Sequence, residues 1–175
     1  MSVMPVIPAL MTERLALRGP ELRDFEALRA FYASERSDFV GGPKTAEGAW
    51  RQLAAEIGHW ALRGYGRWIV TERASGRTVG MVGLWNPEGW PEPEVAWDLF
   101  EGFEGKGYAT EAARAARDHA YGALGWSTAI SLVDPANAAS ARVAERLAAV
   151  YEGEVSHETY GAIGVYRHPP PEACR

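Results

Sequence analysis

The stretch Glu94-Val-Ala-Trp-Asp-Leu-Phe-Glu-Gly-Phe-Glu-Gly-Lys-Gly-Tyr-Ala-Thr-Glu111 decides the fold. It reads as a strand, Glu94 to Phe100, then a glycine-bearing loop, then the start of a helix. Gly105 and Gly107 let the main chain come close to an anion, and the helix beginning near Gly107 aims unpaired N–H groups and its positive dipole end at the same place. Three kinds of phosphate loop differ in the residues around such glycines. A nucleoside-triphosphate loop needs Ser or Thr after its Lys to hold magnesium, and Lys106 is followed by Gly107. A dinucleotide loop needs a third glycine where this chain has Thr110. A ligand-free strand-to-helix turn is the bland alternative.

Outward from that stretch the element order can be read in both directions. Residues 1–11 read as a loose arm, and Leu15 and Leu17 then alternate with polar neighbours as a strand. From Pro20 the spacing of Leu22, Phe25, Leu28, Phe31 and Tyr32 changes to a helical period. Gly41-Gly42-Pro43 is a loop, and Thr45 caps a second helix through Trp50, Leu53, Ile57 and Trp60, stopped at Gly64. Arg67 to Arg73 and Thr78 to Leu84 form a hairpin around Ser75-Gly76. Trp85 to Pro93 is irregular. After the key strand, Thr110 to Leu124 is an alanine-rich helix ended by Gly125. Ser127 to Val133 is a strand, Pro135-Ala-Asn137 opens a helix to about Ala149, and Tyr151 to His157 and Ala162 to His168 are a final hairpin. Residues 169–175 are a tail. The order is β-α-α-β-β-β-α-β-α-β-β in one domain over residues 1–175.

The loop string Glu104-Gly105-Lys106-Gly107-Tyr108-Ala109 resembles the acyl-CoA pyrophosphate loop of the GNAT superfamily of N-acyltransferases. The longer string Gly105 to Ala112 is similar to the branch that includes ribosomal-protein alanine N-acetyltransferases. Asp134-Pro-Ala-Asn137-Ala-Ala-Ser140-Ala-Arg-Val resembles the same family's Asn-x-x-Ser-x-Arg-Val helix. Glu104 departs from the pattern, which has a basic or amide residue there, so anion binding falls more to main-chain N–H groups and Lys106. The resemblance implies an α/β (α+β) GNAT fold: a mixed sheet of about seven strands, four helices, and a splay between strands 4 and 5 that admits the pantetheine arm. It implies cofactor contacts from Asp98, Leu99 and Phe100 through their main chain, from Gly105, Lys106, Gly107, Tyr108, Ala109 and Thr110 at the loop, and from Asn137 and Ser140. Arg142 and Arg146 read equally as phosphate contacts and as a solvated helix face.

The implied reaction is acetyl transfer from acetyl-CoA to a primary amine by direct attack in a ternary complex. The amine must lose a proton, the developing oxyanion needs a donor, and the departing thiolate needs a proton or hydrogen bond. Glu94 is the candidate base, directly or through water, with Asp98 a rival on the same face and a solvated strand-edge carboxylate as the structural alternative. Many relatives carry a Tyr seven residues after the Asn; here that position is Ala144, so Ser140 is the nearest group for the sulfur. Asn137 and Ser140 are three apart and share a helix face; by spacing alone Asn137 reads as an N-cap, and together with the loop and the element order as a ligand contact. Glu111 suits a helix's first turn. His59 reads as structural, His119 as a helix residue, and His157 and His168 fall in the hairpin near where substrates enter in this fold. Trp50, Trp60, Trp85, Trp90 and Phe39 are core or the walls of an apolar acceptor pocket. Ala148 stands where relatives often have Gly.

Composition narrows the partners. In 175 residues, 47% hydrophobic with seven Trp, there is material for one full core. A net charge of -5 opposes binding to nucleic acid or to anionic membrane. Cys174 is the lone cysteine, and the four histidines have no metal spacing, so no metal is expected. No signal peptide is read in the N-terminal run, and no stretch is long and apolar enough to span a bilayer. A cytoplasmic protein, monomer or homodimer, is expected. Its partner is a small-molecule amine (amino sugar, polyamine or amino acid) or a protein N-terminus. The rival class is a non-catalytic acyl-CoA-binding or regulatory module.

Overall fold

The computed structural model describes residues 6–174. Eight strands form one sheet: β1 (Leu10–Met11), β2 (Leu15–Arg18), β3 (Arg67–Glu72), β4 (Thr78–Trp85), β5 (Glu94–Leu99), β6 (Ile130–Val133), β7 (Val150–His157) and β8 (Gly161–Arg167). Their order across the sheet is β1-β2-β3-β4-β5-β6-β8-β7. The helices are α1 (Phe25–Tyr32), α2 (Ala46–Arg63), α3 (Tyr108–Gly122) and α4 (Ala138–Arg146). The mixed sheet and four long helices are those expected, with one strand more than the roughly seven read from the sequence. The extra strand lies in the supposed loose arm: Leu10 pairs with Leu17 and Met11 with Ala16. Two residues are too short to show a period, and what makes them a strand is the open edge of β2. Residues 1–5 of that arm and Arg175 of the tail lie outside the described residues.

The local signals act as their chemistry dictates. Thr45 Oγ1 accepts the N–H of Gly48 at the start of α2, and Gly64 ends that helix in the left-handed conformation. α3 buries Ala109, Ala112, Ala113, Ala116 and Ala120, and these small residues let the helix lie close along β4 and β5. Leu15, Leu17, Trp60, Trp68, Ile69, Met81 and Leu84 fill the core at 0–1% exposure. Trp50 departs from the expected core, being 50% exposed with its edge against Phe25.

What positions the site is the junction of β5 and β6. β4 and β5 pair along their length, antiparallel, from Trp85/Glu94 to Gly80/Leu99. The parallel pair β5/β6 holds only at Glu94/Ile130, where Ile130 N–H reaches the Pro93 carbonyl at 3.1 Å. Beyond that point side chains replace the ladder: Ser131 Oγ donates to the Val95 carbonyl at 2.6 Å, and Leu132 N–H donates to Glu94 Oε1 at 2.9 Å. The strands then part and leave a slot.

Candidate active site

Alternation along β5 decides which main-chain groups face that slot. Phe100 N–H donates to the Val79 carbonyl, and the Asp98 carbonyl presses on β4, where a Cβ added to Gly80 would meet it at 2.1 Å. Asp98 and Phe100 therefore turn their main chain to β4, and Trp97 and Leu99 turn theirs to the slot. This corrects the expectation that three consecutive residues supply slot contacts: only every second one can. Of the three, only Leu99 turns its main chain to the slot, Trp97 does so as well, and the Leu99 carbonyl already accepts Arg36 Nη2 at 3.0 Å.

β5 leads on in the chain to the glycine loop. Gly105 and Gly107 have φ of 72° and 79°, and Gly107 is the N-cap of α3. Nothing but Arg14 Nη2 lies within 4 Å of where a Gly107 Cβ would sit, and Gly105, Gly107 and Thr110 line the open space at the helix start, where the first N–H groups lack helical partners. A cavity of about 730 Å³ is lined there by Arg14, Lys106, Thr110, Arg114 and Arg146, with Glu13 and Glu111. Thr110 Oγ1 is buried without a partner among the described residues. Four cationic side chains, a helix N-terminus and an orphaned hydroxyl fit a polyphosphate. Arg14 also builds the loop. Its Nη1 donates to the Lys106 carbonyl at 2.9 Å and its Nε to Glu111 Oε2 at 2.7 Å, while Thr12 Oγ1 and Arg14 N–H hold Glu111 Oε1. Glu111 is held below the ordinary carboxylate range; burial opposes this, and the Thr12 and Arg14 hydrogen bonds prevail. Glu104 is not idle either: it accepts the Gly102 N–H and pairs with Arg36.

A second cavity, about 340 Å³, lies where β5 and β6 part, and Glu94, Asp98, Asn137 and Ser140 all line it. Glu94 is buried at 4% exposure, which removes the solvated strand-edge alternative. Burial pushes its carboxyl up to about 7, against the hydrogen bonds from Leu132 N–H and Trp90 Nε1, the latter at 2.8 Å. A group half ionised near neutrality suits proton exchange. Ser140 Oγ accepts Trp97 Nε1 at 3.3 Å, so its own proton is left to donate elsewhere. Asn137 caps α4, its Oδ1 accepting the Ser140 N–H at 3.1 Å, as its spacing alone suggests. Ala144 is fully buried and presents no polar group.

Asp98 sits deeper. Arg67 donates to both Glu56 oxygens and, through Nη1, to Asp98 Oδ2 at 2.6 Å, and its guanidinium stacks on Trp85 at 5.1 Å. Burial raises the Asp98 carboxyl while Arg67 pulls it back. Trp90, His157 and Tyr160 form a ring cluster over the cavity, with Trp90 and His157 centroids 4.8 Å apart. Phe39 and Trp85 join the walls, so of the five aromatics singled out only Trp60 is fully core.

The histidines divide. His59 Nδ1 donates to the Tyr65 carbonyl and Nε2 accepts the Asn86 N–H, a structural role. His168 does not line the cavity beside Glu94. It is 1% exposed and bridges Arg117 and Ser131, and burial, with Arg117 nearby, lowers it to about 3, so it stays neutral. Through Ser131 this chain ends on the Val95 carbonyl at the head of the slot. No group of metal-ligating side chains occurs among the described residues, and no described helix is long and apolar enough to cross a membrane.

Comparison with known proteins agrees with this geometry. The family described as Acetyltransferase (GNAT) domain matches residues 14–150. The crystal structure of an acetyltransferase from Agrobacterium tumefaciens superposes with a TM-score of 0.86 at 39% identity, covering 93% of this chain and 95% of that one. An uncharacterized Bacillus subtilis protein, YkkB, is 30% identical over 151 residues, 81% of this chain and 85% of its own. The ribosomal-protein-S5-alanine acetyltransferase of Vibrio fischeri shares the fold, with a TM-score of 0.72 at 19% identity over 96% of this chain and 99% of that one.

Proposed function

The chain belongs to the GNAT acetyltransferase family, and from that premise we propose that it moves an acetyl group from acetyl-CoA to a primary amine by direct attack within a ternary complex. One observation carries the reading. One chain carries both a cationic, N–H-rich loop after β5 and, where β5 and β6 part, a cavity holding a buried carboxyl near neutrality and a serine with a free proton. A non-catalytic module has no need of the second. The whole chain is taken as one such domain, in the cytoplasm.

Acetyl-CoA supplies the activated acetyl carbonyl. The chain's residues do the rest. Lys106, Arg14 and the first N–H groups of α3 hold the phosphates. Glu94, through a water, takes the proton of the ammonium so that nitrogen can attack. A slot-facing N–H, Trp97 or Leu99, meets the charge that develops on the carbonyl oxygen. As the C–N bond forms and the C–S bond breaks, Ser140 Oγ donates to the departing sulfur. Glu94 has by then passed the first proton to solvent, so it takes the amine's second proton through the same water; solvent returns a proton to Ser140, and the products are the amide, the CoA thiol and one released proton. Asn137 orients Ser140 by capping its helix.

The test is calorimetric titration with acetyl-CoA followed by turnover, read as CoA release with amines. Acetyl-CoA binding with CoA release is expected, and Ser140→Ala should lower kcat about tenfold or more while leaving the dissociation constant within twofold. Binding without release with any amine would leave the module as the correct reading.

A further inference from the structure

The cavity beneath the slot has two polar ends, and the chemistry above uses only one. Glu94 and Ser140 occupy that end. The floor at the other is made by Tyr32, Gln52, Arg67 and Asp98. Asp98 is 5% exposed and Tyr32 1%. Arg67 takes Asp98 Oδ2, but Oδ1 accepts no hydrogen bond from the described residues. It is not sealed away either: the buried side-chain polar atoms lacking a partner are Thr110 Oγ1 and Arg117 Nε, and Oδ1 is not among them. Oδ1 therefore opens into the cavity. A carboxylate oxygen with so little water around it calls for a donor.

Charge says which ligand groups fit. The Arg67 guanidinium is shared by Glu56 and Asp98, so it has no unbalanced charge to offer a carboxylate. Lys44, the nearby cation, already donates to Gln52 and lies over the Tyr32 ring. Shape adds a limit. Tyr160 lies against Gly41, its ring 3.4 Å from where a Cβ there would sit, and touches Trp90, which roofs the cavity. Glu94 and Asp98 share one face of β5, about 13 Å apart along the strand.

Resting on the transferase reading, we propose that Asp98 reads the acceptor. Its free Oδ1 receives a second hydrogen-bond donor, an ammonium or a hydroxyl, on a small carboxylate-free amine whose reacting nitrogen lies at Glu94. A site built to hydrogen-bond a substrate group rejects the analogue lacking it far more strongly than a missing methylene is rejected. The acceptor is taken in whole beneath the roof, not threaded as the end of a folded protein.

The experiment compares four amines of one chain length, diaminobutane, aminobutanol, butylamine and aminobutanoate, with an alanine-initiated peptide, at saturating acetyl-CoA. Diaminobutane and aminobutanol should exceed butylamine in kcat/KM by about tenfold or more, and aminobutanoate should fall at or below butylamine. Asp98→Asn keeps an oxygen for Arg67 but turns an amide N–H₂ to the cavity, so the ratio of diaminobutane to butylamine should collapse toward one. Should that variant not fold, the panel on the unaltered protein still decides. Equal use of butylamine, or acetylation of the peptide alone, overturns the inference and leaves the transferase reading standing. Bound acetyl-CoA with no CoA release on any acceptor, peptide included, overturns both.

Discussion

Glu94 joins two roles in one side chain. Its carboxyl holds Leu132 N–H where the β5/β6 ladder stops, and burial raises it to about 7. Activity that needs the ionised form should therefore rise with pH through about 7, and Glu94→Gln should remove that acidic limb together with most of the rate. The same proton enters stability with the opposite sign. Between its ordinary value and about 7 the folded state keeps a proton that the unfolded chain releases, so stability falls as pH rises across that window, by up to about 3 kcal/mol. Thermal melts at pH 5 and pH 8 should show the fall in the unaltered protein and a flatter dependence in the Gln variant. At this scale the meeting of Glu94 and Ser140 at one cavity was legible because both stand at fixed steps from the glycine loop and the Asn137 helix. Arg67 was not. It reads as the polar start of a strand, and its partners Glu56 and Asp98 lie 11 and 31 residues away, a distance that no local pattern spans.

The ends of elements carry the next consequences. α4 closes with Ala149 N–H on the Ala144 carbonyl and Ala148 N–H on the Glu145 carbonyl, both 3.0 Å or shorter, the pairing that calls for glycine at the turning residue. That residue is Ala148 at φ 60°, the one non-glycine in the left-handed region among the described residues. Ala148→Gly should stabilise the protein by about 1 kcal/mol, seen as a higher melting temperature. The reverse holds at the other helix: Gly107→Val puts a branched side chain at φ 79° on the N–H face of α3 and should abolish acetyl-CoA binding, measured by calorimetry. Element types were legible from period and turn chemistry, and the boundaries moved by a few residues. α3 starts at Tyr108, two residues before the expected Thr110, because Gly107 itself turns the chain into the helix. β1 was not legible, since a two-residue strand exists only by virtue of its partner.

Across the whole molecule, the glycine loop is held by a segment near the chain's start. Thr12 and Arg14, between β1 and β2, grip Glu111 and the Lys106 carbonyl more than 90 residues away. Arg14→Ala should weaken acetyl-CoA binding about tenfold while leaving S-acetylpantetheine, which lacks the pyrophosphate, unaffected. With Glu111→Gln in a double-mutant cycle, a coupling above about 0.5 kcal/mol is expected. The buried group of Glu56, Arg67 and Asp98 draws from α2, β3 and β5 at once, and this bears on how the protein can change over time. Removing one member strands a dry charge at a cost of about 3–5 kcal/mol, whereas replacing all three together can be neutral. Any single substitution within this trio thus draws on the stability of the fold, least where the replacement keeps a hydrogen-bonding oxygen as in Asp98→Asn, and a chain drifting toward a different cavity lining does so at less cost by exchanging the three residues as one unit or by altering the roof.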